Sequence, residues 1–265
     1  MSAAPSPPAG PATPSPGRLL LVPNTLDLGA EPVDLEAVLP LGVLRAAARL
    51  RCWVAENAKT TRAFLKRVDA VVPLARALQD IEVRELPRAP KGATRAGVDA
   101  AAWQQLLLPA LRGEDVGLIS EAGLPAVADP GSALVDAAHR LGVPVVPLCG
   151  PSAVALALAA SGLNGQCFAF VGYLPQDDAP RAARLRELES RSRREAQTQI
   201  VIETPYRNDA LLQALLRQLA PETRLSVSIA LTLPDGWCRT ATVQTWRRDP
   251  PQLDRRRPAV FLFLA

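Results

Sequence analysis

The sequence predicts an α/β protein of two α/β domains, with a mostly parallel sheet in the N-terminal domain and a mixed sheet in the C-terminal one. Three observations lead there. Through the first half, short apolar runs such as "RLLLVP", "CWVAEN", "VGLIS" and "VPVVPLC" alternate with helix-period segments. Strands that are apolar on both faces belong to parallel sheets covered by helices. In the second half "RLSVSIALT", "CRTATVQTW" and "AVFLFLA" follow one another with little helix between them, which is the pattern of a mixed sheet. With 265 residues, 48 % of them apolar, the chain is long enough to bury a sizeable core.

The elements follow in order. Residues 1–17, "MSAAPSPPAGPATPSPG", are rich in Pro, Ala and Ser with almost no apolar anchor, so a disordered tail is expected there. The N-terminal domain is expected over 18–148. It opens with the strand "RLLLVP", then "DLEAVLPLGVLRAAARL", a helical pattern that Pro40 interrupts. "CWVAEN" reads as the next strand, and "TTRAFLKRV" as a helix with Ala63, Phe64 and Val68 apolar; "IEVRELP" is a further strand candidate. A helix over "GVDAAAWQQLLLPALRGE", with Val98 on its apolar spacing, precedes the strand "VGLIS", the helix "GSALVDAAHRLG" and the strand "VPVVPLC".

The C-terminal domain is expected over 149–265. "GPSAVALALAASGLNG" reads as a helix with Pro151 in its first turn and a Gly/Asn-rich exit. The strand "FAFVGYLP", a charged helix from about Ala179 to Ser192, the strand "TQIVIE" and the helix "DALLQALLRQL", with Asn208 as N-cap, come next. No internal repeat is visible.

Composition excludes several classes. No apolar stretch is long enough to span a bilayer, and the N-terminus lacks the charged, apolar, small-residue order of a signal peptide, so a cytoplasmic protein without membrane contact is expected. Four cysteines without a CxxC pair and a single histidine, His139, leave metal-ligand spacing absent; buried reduced thiols are expected instead. The net charge of +4 is too small an excess to define a partner. Neither GxGxxG nor GxxxxGK[ST] occurs, and "GPSAV" lacks the GxSxG elbow. What remains is chemistry that uses backbone shape and an already activated cosubstrate, presented at strand ends by "PNTLDLG", "SEAGLP", "GPSA" and "ETPYRN".

"ISEAGLPAVADPG", "VVPLCGPSAVALALAASGLNGQCFAFVGYLP" and "TQIVIETPYRN" stand in the order and approximate spacing of the tetrapyrrole (corrin/porphyrin) methylases, and by them the chain resembles that family of S-adenosylmethionine-dependent methyltransferases. Within it, the chain resembles the branch of the small-subunit rRNA cytidine ribose 2'-O-methyltransferases and looks most like their shorter bacterial paralogues. The resemblance implies two α/β domains with the methyl donor in the cleft between them, a homodimer, and S-adenosyl-L-methionine as cosubstrate. It places donor-binding residues on three loops: Pro23, Thr25 and Leu26, within a stretch running to Leu28; Ser120, Glu121, Ala122, Gly123 and Pro125, with Asp129 beyond; and Gly150, Pro151, Ser152 and Ala153. Glu121, Glu203 and Arg207 are the catalytic candidates.

A physical reason fits loops of small residues. A sulfonium loses its positive charge in the transition state, so a full carboxylate against it would overstabilise the ground state, whereas backbone carbonyls would not. Gly123 can adopt dihedrals closed to other residues and lets the main chain close in on a ligand. The chain also departs from its relatives: Asp27 follows Leu26 where they have glycine, "ENAKTTR" replaces a contiguous Glu-Asp-Thr-Arg, and Ser120-Glu121 replaces Ser-Asp. The expected acceptor is RNA, rRNA by resemblance. The alternatives are a small heterocyclic or tetrapyrrole-like acceptor, and a non-catalytic paralogue that binds the donor or RNA.

Overall fold

The computed structural model describes residues 16–27, 33–87 and 100–265. The tail expected over 1–17 therefore falls, up to residue 15, outside the described residues, as do Leu28 and Val98. The elements run β1 (Leu19–Leu21), α1 (Leu35–Val38), α2 (Leu41–Arg49), β2 (Cys52–Ala55), α3 (Ala58–Asp69), β3 (Glu82–Glu85), α4 (Ala100–Leu111), β4 (Val116–Ile119), α5 (Ser132–Arg140) and β5 (Val145–Pro147). They continue with α6 (Ala153–Ser161), β6 (Phe168–Tyr173), α7 (Asp178–Glu195), β7 (Thr198–Glu203), α8 (Asn208–Gln218), β8 (Arg224–Ile229), β9 (Trp237–Thr242), α9 (Val243–Arg248) and β10 (Ala259–Leu264).

Two compact units emerge. The first takes the described residues up to Pro23, those of Leu41–Glu121, and Asp129–Cys149; the second takes those of Asn24–Pro40, Ala122–Ala128 and Gly150–Ala265.

In the first unit the strand order is β3-β2-β4-β1-β5, and every pair is parallel. The central strands β2 and β4 are buried along their whole length, as continuous apolar runs require in a sheet covered on both faces. Local signals set the helices around it. Asn57 caps α3 by accepting from the backbone N–H of Lys59 and Thr60 at 2.9 and 3.3 Å. Pro40 separates α1 from α2, as the sequence predicts. On α3 the buried positions are Thr61, Phe64, Leu65 and Val68; Ala63 is exposed, because the buried stripe lies one residue further round the helix than expected.

The second unit carries the mixed sheet β6-β7-β10-β8-β9, with β6 parallel to β7 and the remaining pairs antiparallel. One core cluster joins this sheet to α7, α8 and α9, with Trp246, Phe261 and Phe263 fully buried; a smaller one lies under α6, around Ala157, Ile200 and Leu262. Three local expectations are corrected here. "CRTATVQTW" is a strand only to Thr242, whose hydroxyl then accepts from Thr245 N at 3.2 Å and starts α9. α6 begins at Ala153 with Ser152 as N-cap, so Pro151 precedes the cap instead of lying in the first turn. At α8 the cap position is Arg207; Asn208 is buried inside the first turn and donates to Arg257 O at 2.9 Å.

Of the four cysteines only Cys52 is buried; Cys149 is exposed, and Cys167 and Cys238 are partly covered. Burial, then the neighbouring Glu114, push the Cys52 thiol up to about 11. Among the described residues no helix is long and apolar enough to cross a membrane.

Candidate functional site

Parallel strands direct their carboxyl ends to one edge, so the first unit's topology collects the ends of β2 and β4 side by side. Glu56 follows β2 and Ser120-Glu121 follow β4. Glu56 N donates to Ile119 O at 3.2 Å, and Glu121 N donates to the Glu56 carboxylate at 3.1 Å. The two strand ends are thus stapled where the chain turns away from the sheet. Asp129 returns to the same place, with the buried Ser120 hydroxyl bonded to its carboxylate.

Two of the carboxylates at this edge, Asp129 and Glu56, are shifted in their titration. Burial, followed by the Glu56 charge, pushes Asp129 up to about 6, and the Ser120 hydroxyl only partly offsets this. Burial also raises Glu56, with the Glu121 N–H acting against it. Among the described residues no such group is arranged to hold a metal ion.

In the second unit three loops far apart in sequence meet. Pro23, at the end of the first unit's β1, leads into Asn24, Thr25, Leu26 and Asp27, all buried. Asn24 N donates to Gly123 O at 2.9 Å, and Gly123 N donates to Thr25 O at 3.3 Å. Gly123 is held between two backbone groups at φ 65, in the left-handed region. A Cβ added there would stand 3.2 Å from Leu26 Cδ2 and 3.4 Å from the Pro151 carbonyl. The left-handed dihedral is therefore the main reason for glycine here, and a Cβ would in addition require the Leu26 side chain to give way by a few tenths of an ångström. Ala122 and Pro125 flank it, Pro125 buried, and Ala126 and Ala128 are also left-handed, at φ 67 and 65. Two alanines in that region store strain of about 1–2 kcal/mol each. Gly150, Pro151, Ser152 and Ala153 supply the third loop, with Ser152 accepting from Ala155 N at 3.4 Å.

Asp27, the departure from the relatives' pattern, has a structural use: it accepts from the Thr25 hydroxyl at 2.8 Å and from Val33 N at 3.2 Å. Glu203 and Arg207 are brought together at the end of β7, but largely for each other. Glu203 accepts from Thr204 N at 2.7 Å, Thr204 Oγ1 at 3.2 Å and Arg207 Nη2 at 2.9 Å, which braces the turn into α8. The β8–β9 loop carries two more left-handed residues, Ala230 and Thr232, that sequence reasoning passed over, since "IALT" reads as strand. Gly236 lies against this turn, where an added Cβ would run into the Ala230 carbonyl.

Comparison with known proteins agrees with this architecture. Residues 54–245 match the family model of the tetrapyrrole (corrin/porphyrin) methylases. Relatives named ribosomal RNA small subunit methyltransferase I include one from Vibrio cholerae, 40 % identical over 129 residues covering 49 % of this chain and 43 % of that protein. Another, from Mesorhizobium japonicum, is 40 % identical over 139 residues, 52 % of this chain and 46 % of that one. The matched stretches thus span less than half the length of these two relatives. The fold is also that of a solved methyltransferase, CobJ, with a TM-score of 0.54 at 17 % identity, each chain covered to 93 %. A uroporphyrin-III-C-methyltransferase from Thermus thermophilus gives 0.51 at 20 % identity, covering 94 % of this chain and 92 % of that one. Matching the family model over 192 of its 265 residues (54 to 245), the chain belongs to the tetrapyrrole (corrin/porphyrin) methylase family.

Proposed function

We propose that the protein is an S-adenosylmethionine-dependent methyltransferase acting on RNA, with ribosomal RNA as the acceptor. The observation that carries this reading is the Gly123 clasp. Asn24 and Thr25 grip the Gly123 backbone through two main-chain hydrogen bonds, and its Cβ position would meet the Leu26 side chain and the Pro151 carbonyl, so three loops of small residues converge with their main chain at this point. Small residues and carbonyls suit a sulfonium that must lose its charge as the methyl leaves. Pro23, Thr25, Leu26, Ala122, Gly123, Pro125 and the Gly150–Ala153 turn would hold the donor, which supplies an electrophilic methyl group. Positioning for in-line displacement is the main contribution asked of the protein.

An RNA hydroxyl also has to lose a proton. Asp129, pushed up to about 6, is matched to accept one near neutral pH, whereas Glu203 is committed to its own turn. Names of the relatives support the acceptor, and rRNA as substrate implies a cytoplasmic protein. The test incubates the protein with labelled donor and ribosomal RNA from cells lacking it. Label in RNA, at ribose and dependent on Asp129, is expected; label in a small acceptor only, or donor binding without product, overturns the reading.

We also infer a homodimer. α6, "AVALALAAS", is apolar on every side, and its outer face adjoins exposed Val127 and Phe168 around a groove of about 390 Å³. A contiguous apolar surface of that kind marks an interface. Light scattering should give twice the 28.2 kDa chain mass.

A further inference from the structure

The second unit contains a surface that the donor-site reading does not use, at the edge of the mixed sheet where β7 ends and β10 begins. The register pairs Ala259 with Glu203, so the segment before β10, "LDRRRP", lies beside the turn "TPYRN" after β7. Side chains fasten the two together. Asn208 donates to Arg257 O at 2.9 Å, and Leu253 N donates to the Asp209 carboxylate at 3.0 Å. Tyr206 and Arg255–Arg257 therefore belong to one patch.

We propose that this patch binds single-stranded RNA, with Tyr206 as a stacking platform for a base and Arg255 and Arg256 as phosphate contacts. Tyr206 is 66 % exposed, and the Arg207 guanidinium sits 5.5 Å from its ring centroid. Arg207 is in turn fixed by Glu203, so the ring is backed by an immobilised cation on one side and open on another. A rigid aromatic with an arginine beside it is what sequence-tolerant binding of unpaired bases uses.

The charge balance needs a closer look, because four carboxylates lie among the four arginines of this patch. Their depths decide the matter. Arg255 and Arg256 are 77 % and 92 % exposed, against 32 % and 39 % for their partners Asp209 and Asp254, and the pairs are loose at 3.8 and 3.7 Å. At these two pairs the outer group is the cation, and exposed ion pairs of that geometry are weak enough for phosphates to replace; Asp235, 60 % exposed beside Arg257, lies further out than its arginine. Arg257 is different: it is tied to Asp235 and Asp254 and serves to hold the segment. An acidic peptide would use the arginines but gain nothing from a free aromatic face, which is why RNA is the better fit.

This inference rests on the reading of the acceptor as RNA, and the test keeps the two apart. A fluorescently labelled 12-nucleotide single-stranded RNA is titrated with wild type, Tyr206→Ala and Arg255→Ala/Arg256→Ala across a salt series, while donor binding is followed by calorimetry. The double arginine variant should lower the salt slope by about 1.4, two contacts at about 0.7 each on a single strand. Tyr206→Ala should weaken binding about tenfold and leave the slope unchanged. Both variants should bind the donor as wild type does, showing that the fold is intact. Wild-type slope and affinity in both variants overturn the patch even if RNA is methylated, whereas loss of donor binding in wild type with the RNA pattern retained overturns the enzymatic reading alone. Displacement of the RNA by an acidic peptide, with Tyr206→Ala silent, also sinks the proposal.

Discussion

Gly123 and Asp129 sit six residues apart and make opposite demands on the chain. Gly123→Val places a β-branched side chain at φ 65 with 3.2 Å to Leu26, so donor affinity should fall at least about tenfold, read by calorimetric titration. The accompanying loss of stability should be at least about 1–2 kcal/mol, the general cost of a left-handed non-glycine residue, with the β-branch and the Leu26 contact adding to it. Asp129 works through protons. Its folded-state pKa, about 6, stands above the ordinary 3.8, so between those values the folded state holds the proton more tightly. Stability from this group is highest below about pH 4 and is lost as pH rises to about 6. Asp129→Asn keeps an acceptor for Ser120 and removes the titration. Relative to wild type it should gain stability between pH 4 and 7, on the order of 1 kcal/mol after solvent screening, measured by urea melts at both pH values. If Asp129 takes the acceptor's proton, turnover should drop by roughly 10² in the same variant. A variant both more stable and less active is the pattern of a strained functional group.

Elements differ in how openly the sequence announces them. β2 and β4 are legible because burial on both faces leaves uninterrupted apolar runs, and Pro40 marks a helix boundary by chemistry that acts within one turn, whereas the Asn57 cap goes unread because the residue directly follows a strand. α9 is not legible. Its "VQTW" carries β-branched and aromatic residues that favour strand, and the helix is set by Thr242 and by Trp246, whose indole N–H reaches Leu225 O at 2.9 Å in β8. Tertiary contact overrides local preference there. Thr242→Ala should therefore cost about 1 kcal/mol, the usual value of an N-cap, while Thr242→Ser should be nearly neutral, both by denaturant midpoint. The clasp is hidden for another reason. Asn24, Thr25 and Gly123 meet through backbone atoms about a hundred residues apart, and such bonds leave no side-chain pattern. Only the glycine and the family's motif order pointed to it.

At the scale of the molecule the chain is not divided at a single point. The described residues of Asn24–Pro40 and Ala122–Ala128 leave the first unit's stretch of sequence to join the second, and the two loops of the clasp lie on those excursions. A linear boundary after Leu148 keeps the whole mixed sheet and its core, since the buried residues from Leu174 to Phe263 all fall beyond it. A fragment of residues 149–265 would nevertheless lack Asn24, Thr25 and Gly123. Pro151, Ser152 and α6 would remain, without the partners that bring main chain against Pro151. The fragment should consequently unfold cooperatively in urea, with far-UV signal of a mixed sheet, and yet bind the donor at least about 100-fold more weakly than the full chain. RNA affinity tests the same fragment independently: Tyr206, Arg255 and Arg256 lie wholly inside it, so binding of single-stranded RNA should survive nearly unchanged. Donor affinity within about threefold of the full chain would show that the clasp is not needed for the cosubstrate. Loss of RNA binding from a folded fragment would move the RNA surface out of the second unit. Donor recognition would then depend on excursions from elsewhere in the sequence, and acceptor recognition on a contiguous stretch, so one cut separates the two functions.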